Sequence, residues 1–346
     1  MEKSPAAPVA PQAAGCRTVS VVIPAYNASR YLAATLESVM QQDVPASEVI
    51  LVDDGSTDDT VDIARSFGVT VISSRNGGAS AARNVGTMAA SGEYIAYMDA
   101  DDVWPPEKLE CQLAALRAYP RAAFSFTDFR VFNDEGVQKR TGLLHHPAFR
   151  QVLRTAQPAT DRSHIVIVAD GQAPVLPECY IQPSSVLVRR ADVLAVGGFD
   201  ESVPLGEDYE FFLRLFKLIP AVAVMRSLLF YRQHPAQASA RYTDVRAATL
   251  DIARRVALSP HRYPTADVKY MPTIAYRRYY RLGIEQARRE HFDDAVDSLE
   301  RSLTARPTFR ARVALLAARL CRSVVGRTGF RLVRHLWKRR PGQHSA

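Results

Sequence analysis

Along the first hundred residues the rhythm of apolar and polar positions switches repeatedly. Val19-Ser20-Val21-Val22-Ile23 is a short β-branched run closed by Pro24. From residue 29 to about 42, Leu32, Leu36 and Val39 recur at helical spacing. The alternation then repeats: 49–52 predicts a strand, 59–67 a helix, 69–72 a strand, 79–90 a helix and 94–98 a fourth strand, with 186–188 a further short strand. Strands alternating with helices predict βαβ units, hence an α/β fold with a mostly parallel, Rossmann-like sheet and helices on both faces. Residues 245–346 show no strand pattern and predict an all-α extension.

Parallel sheets bind ligands at the carboxyl ends of their strands. That rule selects Ala25-Tyr26-Asn27, Asp53-Asp54-Gly55-Ser56, Arg75-Asn76-Gly77-Gly78 and Asp99-Ala100-Asp101-Asp102. Acids from two strands converging on one edge need compensation, which a divalent cation with a nucleotide would supply. Taken singly, Asp-Asp-Gly-Ser also reads as a turn with a helix cap, and Asp99–Asp102 as a cap for a helix near Pro105-Pro106. There is no G-x-G-x-x-G after the first strand and no G-x-x-x-x-G-K-[ST], which disfavours a dinucleotide dehydrogenase and a P-loop ATPase. Further on, Asp208 falls on a helical stripe with Phe211, Phe212 and Leu215, beside Gly206. Partial burial there would raise its pKa towards that of a general base. The other reading is a carboxylate facing a helix N-terminus.

These segments together resemble the family 2 glycosyltransferases of the GT-A fold. The resemblance runs through V-S-V-V-I-P-A-Y-N (19–27), I-L-V-D-D-G-S-T-D (50–58), G-G-A-S-A-A-R-N-V-G (77–86), Y-M-D-A-D-D (97–102), G-G-F-D-E (197–201) and G-E-D-Y-E-F-F-L-R (206–214), in order across about residues 18–235. It implies that Asp54 and Asp53 hold nucleotide base and ribose over a floor of Pro24, Ala25 and Tyr26, with Arg83 near the nucleobase and diphosphate. Asp101 would ligate Mn²⁺ or Mg²⁺, Asp99 would lie nearer the ribose as a second ligand, and Asp102 would stand beside them. Asp208 would be the base of an inverting displacement, with Glu207 adjacent. The donor would be a nucleotide-diphosphate sugar, UDP-sugar by default, and the acceptor a glycan or lipid-linked hydroxyl in cell-surface polysaccharide synthesis. His234, in a Tyr-Arg-x-His segment, would touch the diphosphate or metal, or else sit on a surface loop. Gln182, before the 186–188 strand, could line the acceptor side, and the stretch 140–178 holding His145, His146 and His164 is where acceptor loops would fall. A sugar-phosphate nucleotidyltransferase is the second reading, lacking its Gly-rich loop here; a non-catalytic scaffold with a degenerate transferase domain is the third.

Charge and cysteine usage then refine the organisation. Of the net +8, residues 301–346 contribute 12 basic and no acidic groups, which leaves residues 1–300 at −4. The basicity is a property of the tail, and with no recognition module nucleic acid is not expected. Four scattered cysteines, Cys16, Cys111, Cys179 and Cys321, fit a reducing compartment. The expected organisation is a disordered leader at 1–17, a catalytic domain at 18–240, a helical extension at 245–310 and a basic amphipathic tail at 311–346. Leu282, Gly283, Ala295, Leu299, Ser302 and Pro307 are spaced as in one tetratricopeptide-like hairpin, which would pack on the catalytic domain or bind a protein partner. The tail, with Trp337 among its arginines, reads as binding an anionic membrane surface. No stretch is long and apolar enough to span a membrane, so the expected location is cytoplasmic, peripheral at the membrane.

Overall fold

The computed structural model describes residues 17–122, 124–138, 142–154, 156–158, 164–168, 179–203, 205–218, 220–237, 252, 255, 263 and 265–323. Elements run β1 (Val19–Ala25), α1 (Ser29–Met40), β2 (Glu48–Asp53), α2 (Thr60–Ser66), β3 (Thr70–Ser73), α3 (Gly78–Ala89), β4 (Tyr94–Tyr97) and α4 (Lys108–Ala118). There follow β5 (Phe124–Asn133), β6 (Gly136–Val137), α5 (Pro147–Leu153), β7 (Gln157–Pro158), β8 (Ile165–Val168), β9 (Val186–Arg189), α6 (Arg190–Ala195), α7 (Glu207–Leu218) and β10 (Ala221–Arg232). Three helices close the described chain: α8 (Thr265–Arg288), α9 (Phe292–Ala305) and α10 (Phe309–Ser323).

One sheet carries the order β3-β2-β1-β4-β9-β5-β10-β8-β7, with β6 paired to β5. The half read from the sequence, β3-β2-β1-β4, is parallel throughout, with Ile23 opposite Leu51 and Val22 opposite Tyr97. β1, β2 and β4 are buried on both faces, so they read as continuous apolar runs rather than alternating ones, while β3 at the edge is partly exposed. Beyond β4 the sheet is mixed: β9 inserts antiparallel to both β4 and β5, while β10 runs parallel to β5. Leu32, Leu36 and Val39 of α1 and Phe211, Phe212 and Leu215 of α7 bury fully against this sheet.

Two irregularities position the functional edge. The pairing of β10 with β5 shifts register between Val224 and Phe230, and irregularities of this kind bend and twist a strand. Past the shift Phe230 bridges Val103, so the end of β10 lies against the segment that follows Asp99–Asp102.

The termini differ from expectation at two points. Residues 1–16 of the expected leader lie outside the described residues, but Arg17 is anchored: its guanidinium donates to the Tyr94 hydroxyl and lies over that ring. The expected tail begins inside a packed helix. In α10, Ala311, Ala314, Ala317, Ala318 and Cys321 are buried, most of them in a second core with Ala287, Ala295 and Leu299. Arg319 and Arg322 pair with Glu300 and Asp293. Small residues on one face allow this close approach, so α10 covers the apolar face that a single hairpin leaves open. Residues 324–346 of the tail lie outside the described residues.

Candidate active site

The loops after β1 and β2 are stitched to one another by short polar side chains. Asn27, at φ +48, accepts the Thr57 N–H at 2.8 Å, its own N–H donates to Ser56 Oγ, and Ala28 N–H donates to Thr60 Oγ1. Asn tolerates this left-handed backbone better than most residues. Ala25 is buried at the end of β1, Pro24 is partly buried, and the Tyr26 ring is 53% exposed over the edge.

Asp54 is buried and spends both carboxylate oxygens on backbone, accepting Gly77 N–H at 2.8 Å and Gly78 N–H at 2.7 Å at the start of α3. It therefore braces the Gly77-Gly78 turn. Asp53, also buried, accepts Ser56 N–H at 3.2 Å through Oδ1.

Arg83 joins the two acidic clusters. From α3 its fork donates to Asp99 Oδ1 at 2.8 Å and to Glu207 Oε1 at 2.9 Å, and its guanidinium lies over Phe199. The side chain is only 4% exposed. Burial works against its charge, but Asp99 and Glu207 hold it firmly protonated. The sequence reading aimed this residue at the nucleotide; in the structure it pairs with carboxylates from the loop after β4 and from α7. The neighbouring Asn84 holds the loop before α7, donating to Phe199 O and Glu201 and accepting Phe199 N–H. Gly198 makes that approach possible: its φ is +67 and a Cβ would lie 2.5 Å from Asn84 Oδ1.

Asp208 opens α7 beside Glu207 and is half-buried. Its pKa is raised to about 7, by burial first and then by the charge of Glu207; the Tyr209 N–H, donated at 2.7 Å, and Arg83 oppose the rise. Asp101 is also pushed up, by burial and the charge of Asp99. Asp102 is pushed well above the carboxylate range by burial and both neighbours; Arg232 N–H donates to its Oδ1, and its buried Oδ2 has no hydrogen-bond partner among the described residues.

His234 packs against Asp101 rather than standing free on a surface loop. It is 13% exposed, its Nε2 lies 2.9 Å from Asp101 Oδ2, and its ring sits 4.7 Å from that of Tyr31. Arg232 accompanies it, donating from Nε to Asp101 O and lying between Tyr31 and Phe132. Gln182 contributes its carbonyl to a 3-10 turn at Pro183–Ser185. Ser184 of that turn accepts the Asp99 N–H and the indole N–H of Trp104, through Oγ and O respectively. Neither Ser184 nor Arg232 was singled out by itself in the sequence, although Ser184 lies in the Gln182–Ser185 segment and Arg232 in the segment that drew attention to His234.

Among the described residues no three His, Cys, Asp or Glu side chains form a closed metal cage. The donors nevertheless suit a hard cation: Asp99 and Asp101 each have one carboxylate oxygen engaged, with Arg83 and His234, and Mg²⁺ needs only one or two carboxylates when substrate phosphates complete its shell.

Two groups of acids, Asp53–Asp54 and Asp99–Asp102, thus stand at the carboxyl ends of parallel strands of an α/β sheet, the edge where such sheets bind ligands. Residues 20–174 match the family model described as glycosyl transferase family 2. The teichuronic acid biosynthesis glycosyltransferase TuaG of Bacillus subtilis is 40% identical over 124 residues, 34% of this chain and 49% of that protein. The chain thus spans about half the length of TuaG, and about a quarter of two Rickettsia glycosyltransferases at 33% identity. The amylovoran biosynthesis glycosyltransferase AmsB of Erwinia amylovora is 26% identical over 83% of this chain and 98% of its own length. Residues 1–349 of S. aureus TarS, in complex with UDP-GlcNAc, superpose with a TM-score of 0.60 at 18% identity, covering 88% of this chain and 87% of that one. At that identity the likeness shows the GT-A fold.

Proposed function

We propose that the protein is an inverting glycosyltransferase that moves a sugar from a nucleotide-diphosphate sugar, UDP-linked by default, to a hydroxyl of a glycan or lipid-linked acceptor in cell-surface polysaccharide synthesis. One observation carries this reading. Asp208, with a pKa of about 7, stands in the first turn of α7 beside the Glu207–Arg83–Asp99 bridge, so a proton acceptor lies next to the acids of the strand edge. The roles of TuaG and AmsB in polysaccharide biosynthesis and the UDP-GlcNAc bound to TarS support the substrate class.

The exposed Tyr26 ring offers a stacking face for the base, over Pro24 and Ala25, with Asp53 at the end of β2 for the ribose. Asp54 acts through the Gly77-Gly78 turn. Asp101 and Asp99 would hold Mn²⁺ or Mg²⁺, with His234 orienting the Asp101 carboxylate. When bound, such an ion offsets charge developing on the departing diphosphate. Asp208 takes the acceptor proton as the acceptor oxygen attacks the anomeric carbon from the face opposite the diphosphate. Gln182 and the 140–178 stretch are proposed to face the acceptor. The nucleotidyltransferase and degenerate-scaffold readings have less support, since Asp99, Asp101 and Asp208 are all present around one site.

No helix among the described residues is long and apolar enough to cross a membrane. On α10, however, Phe309, Val313, Leu316 and Leu320 form an exposed stripe at helical spacing with Arg310 and Arg312 near it. That pattern supports peripheral attachment to an anionic membrane, on the cytoplasmic face where such donors are made. Release of nucleoside diphosphate from a panel of nucleotide sugars with Mn²⁺, and the anomeric configuration of the product, test the activity. One donor turning over with inversion is expected; no turnover with any donor, or retention, contradicts it.

A further inference from the structure

We propose that three residues beyond the sheet domain, Ile252, Arg255 and Tyr263, are positioning residues for the base, clamping the loop and helix turn that carry Asp208. The proposal rests on Asp208 being that base.

Each of the three meets a different part of the same short segment. Arg255 donates from Nη1 to Ser202 Oγ at 2.9 Å and from Nη2 to Ser202 O at 3.1 Å, with Asp200 Oδ2 3.8 Å away. Ile252 is fully buried and its Cδ1 lies 3.0 Å from where a Cβ would stand on Gly206. Gly206, at φ +77, makes the turn into α7, so a side chain there would be both strained and crowded. Tyr263, 2% exposed, donates its hydroxyl to Glu210 Oε1 at 2.9 Å.

Glu210 lies two residues past Asp208 in the same helical turn and is fully buried. It is held by a bidentate pair with Arg214, whose Nη1 also donates to Val196 O. A buried carboxylate keeps its place only while its oxygens are satisfied, so the Tyr263 hydroxyl fixes the axial and rotational setting of this turn. The contacts flank Asp208 on both sides, at Asp200–Ser202 and Gly206 before it and at Glu210 after it. Asn84 and Arg83 hold the same segment from α3. The base is therefore gripped between the nucleotide side of the sheet and chain that leads into the helical extension. Small misplacement of a catalytic group costs rate far more than affinity.

The test uses full-length protein, the best donor of the nucleotide-sugar panel and UDP as binding probe. Tyr263→Phe and Arg255→Ala should each lower kcat for UDP release by about tenfold, with donor KM and UDP affinity close to wild type and Tm lower by no more than a few degrees; Arg255→Lys should recover most of the rate. Wild-type kcat in both variants, while Asp208→Asn is inactive, would overturn the positioning role and leave the base assignment standing. A joint fall of kcat, UDP affinity and Tm would overturn it in favour of a purely structural one. Normal turnover in Asp208→Asn would remove the base itself, and the proposal with it.

Discussion

The protonation of Asp208 governs whether the site can accept a proton. Held at a pKa of about 7, it is mostly protonated at pH 6 and mostly ionised at pH 8, so kcat/KM should fall about tenfold per pH unit below 7. The same shift has a stability consequence. Because the folded pKa stands above the ordinary 3.8, the contribution of Asp208 to stability is fully present below about pH 4 and is lost as pH rises through about 7. Asp208→Asn should therefore raise Tm by roughly 3 °C at pH 8 and leave it unchanged near pH 4; thermal scans at both values check this. Arg83 acts in the opposite sense on the same group. Arg83→Gln removes a charge that favours the carboxylate, so any residual activity should show its acid limb displaced to higher pH. Leaving Asp99 and Glu207 without a buried partner should also cost about 3–5 kcal/mol of stability, measurable by urea denaturation.

At the level of elements, β1 to β4 and the three helices between them could be read directly from the chain because each strand is a short apolar run punctuated by Pro, Gly or Asp, and each helix carries one buried stripe. The acids at strand ends were legible for the same reason: topology alone puts residues 99–102 and 53–54 on the carboxyl edge. What could not be read was which polar atoms close on each other. Asp54 looks like a ligand in sequence, yet it satisfies two backbone donors of α3; Arg83 looks like a phosphate binder, yet it bridges two acids 108 residues apart, Asp99 and Glu207. The antiparallel insertion of β9 and the register shift in β10 bring Ser184, Arg232 and His234 to the acids, and neither leaves a local pattern. The helical hairpin was legible through Gly283, where a Cβ would lie 2.6 Å from Leu299 Cγ. Leu299→Ala should cost that unit about 2–5 kcal/mol. Since its core is separate from that of the sheet, hydrogen exchange should quicken in 265–323 while protection of the sheet is retained.

Across the whole molecule, the charge partition seen in the sequence takes on a spatial meaning. The acidic body holds the strand-edge site, and the basic end begins on a helix that buries its alanines and leaves Phe309 and Leu316 outward. Anionic vesicles should co-sediment the full-length protein at low salt, and the pair Phe309→Ser with Leu316→Ser should weaken this severalfold without changing UDP release. Equal binding to neutral vesicles would contradict the electrostatic part of this account. The central claim concerns one carboxylate at the edge of one sheet. Its most direct test is UDP release from the preferred UDP-sugar with Mn²⁺ at pH 8, compared between wild type and Asp208→Asn under matched UDP binding. The expected result is a fall of at least about 10²-fold in kcat with UDP affinity preserved; an unchanged kcat would contradict it.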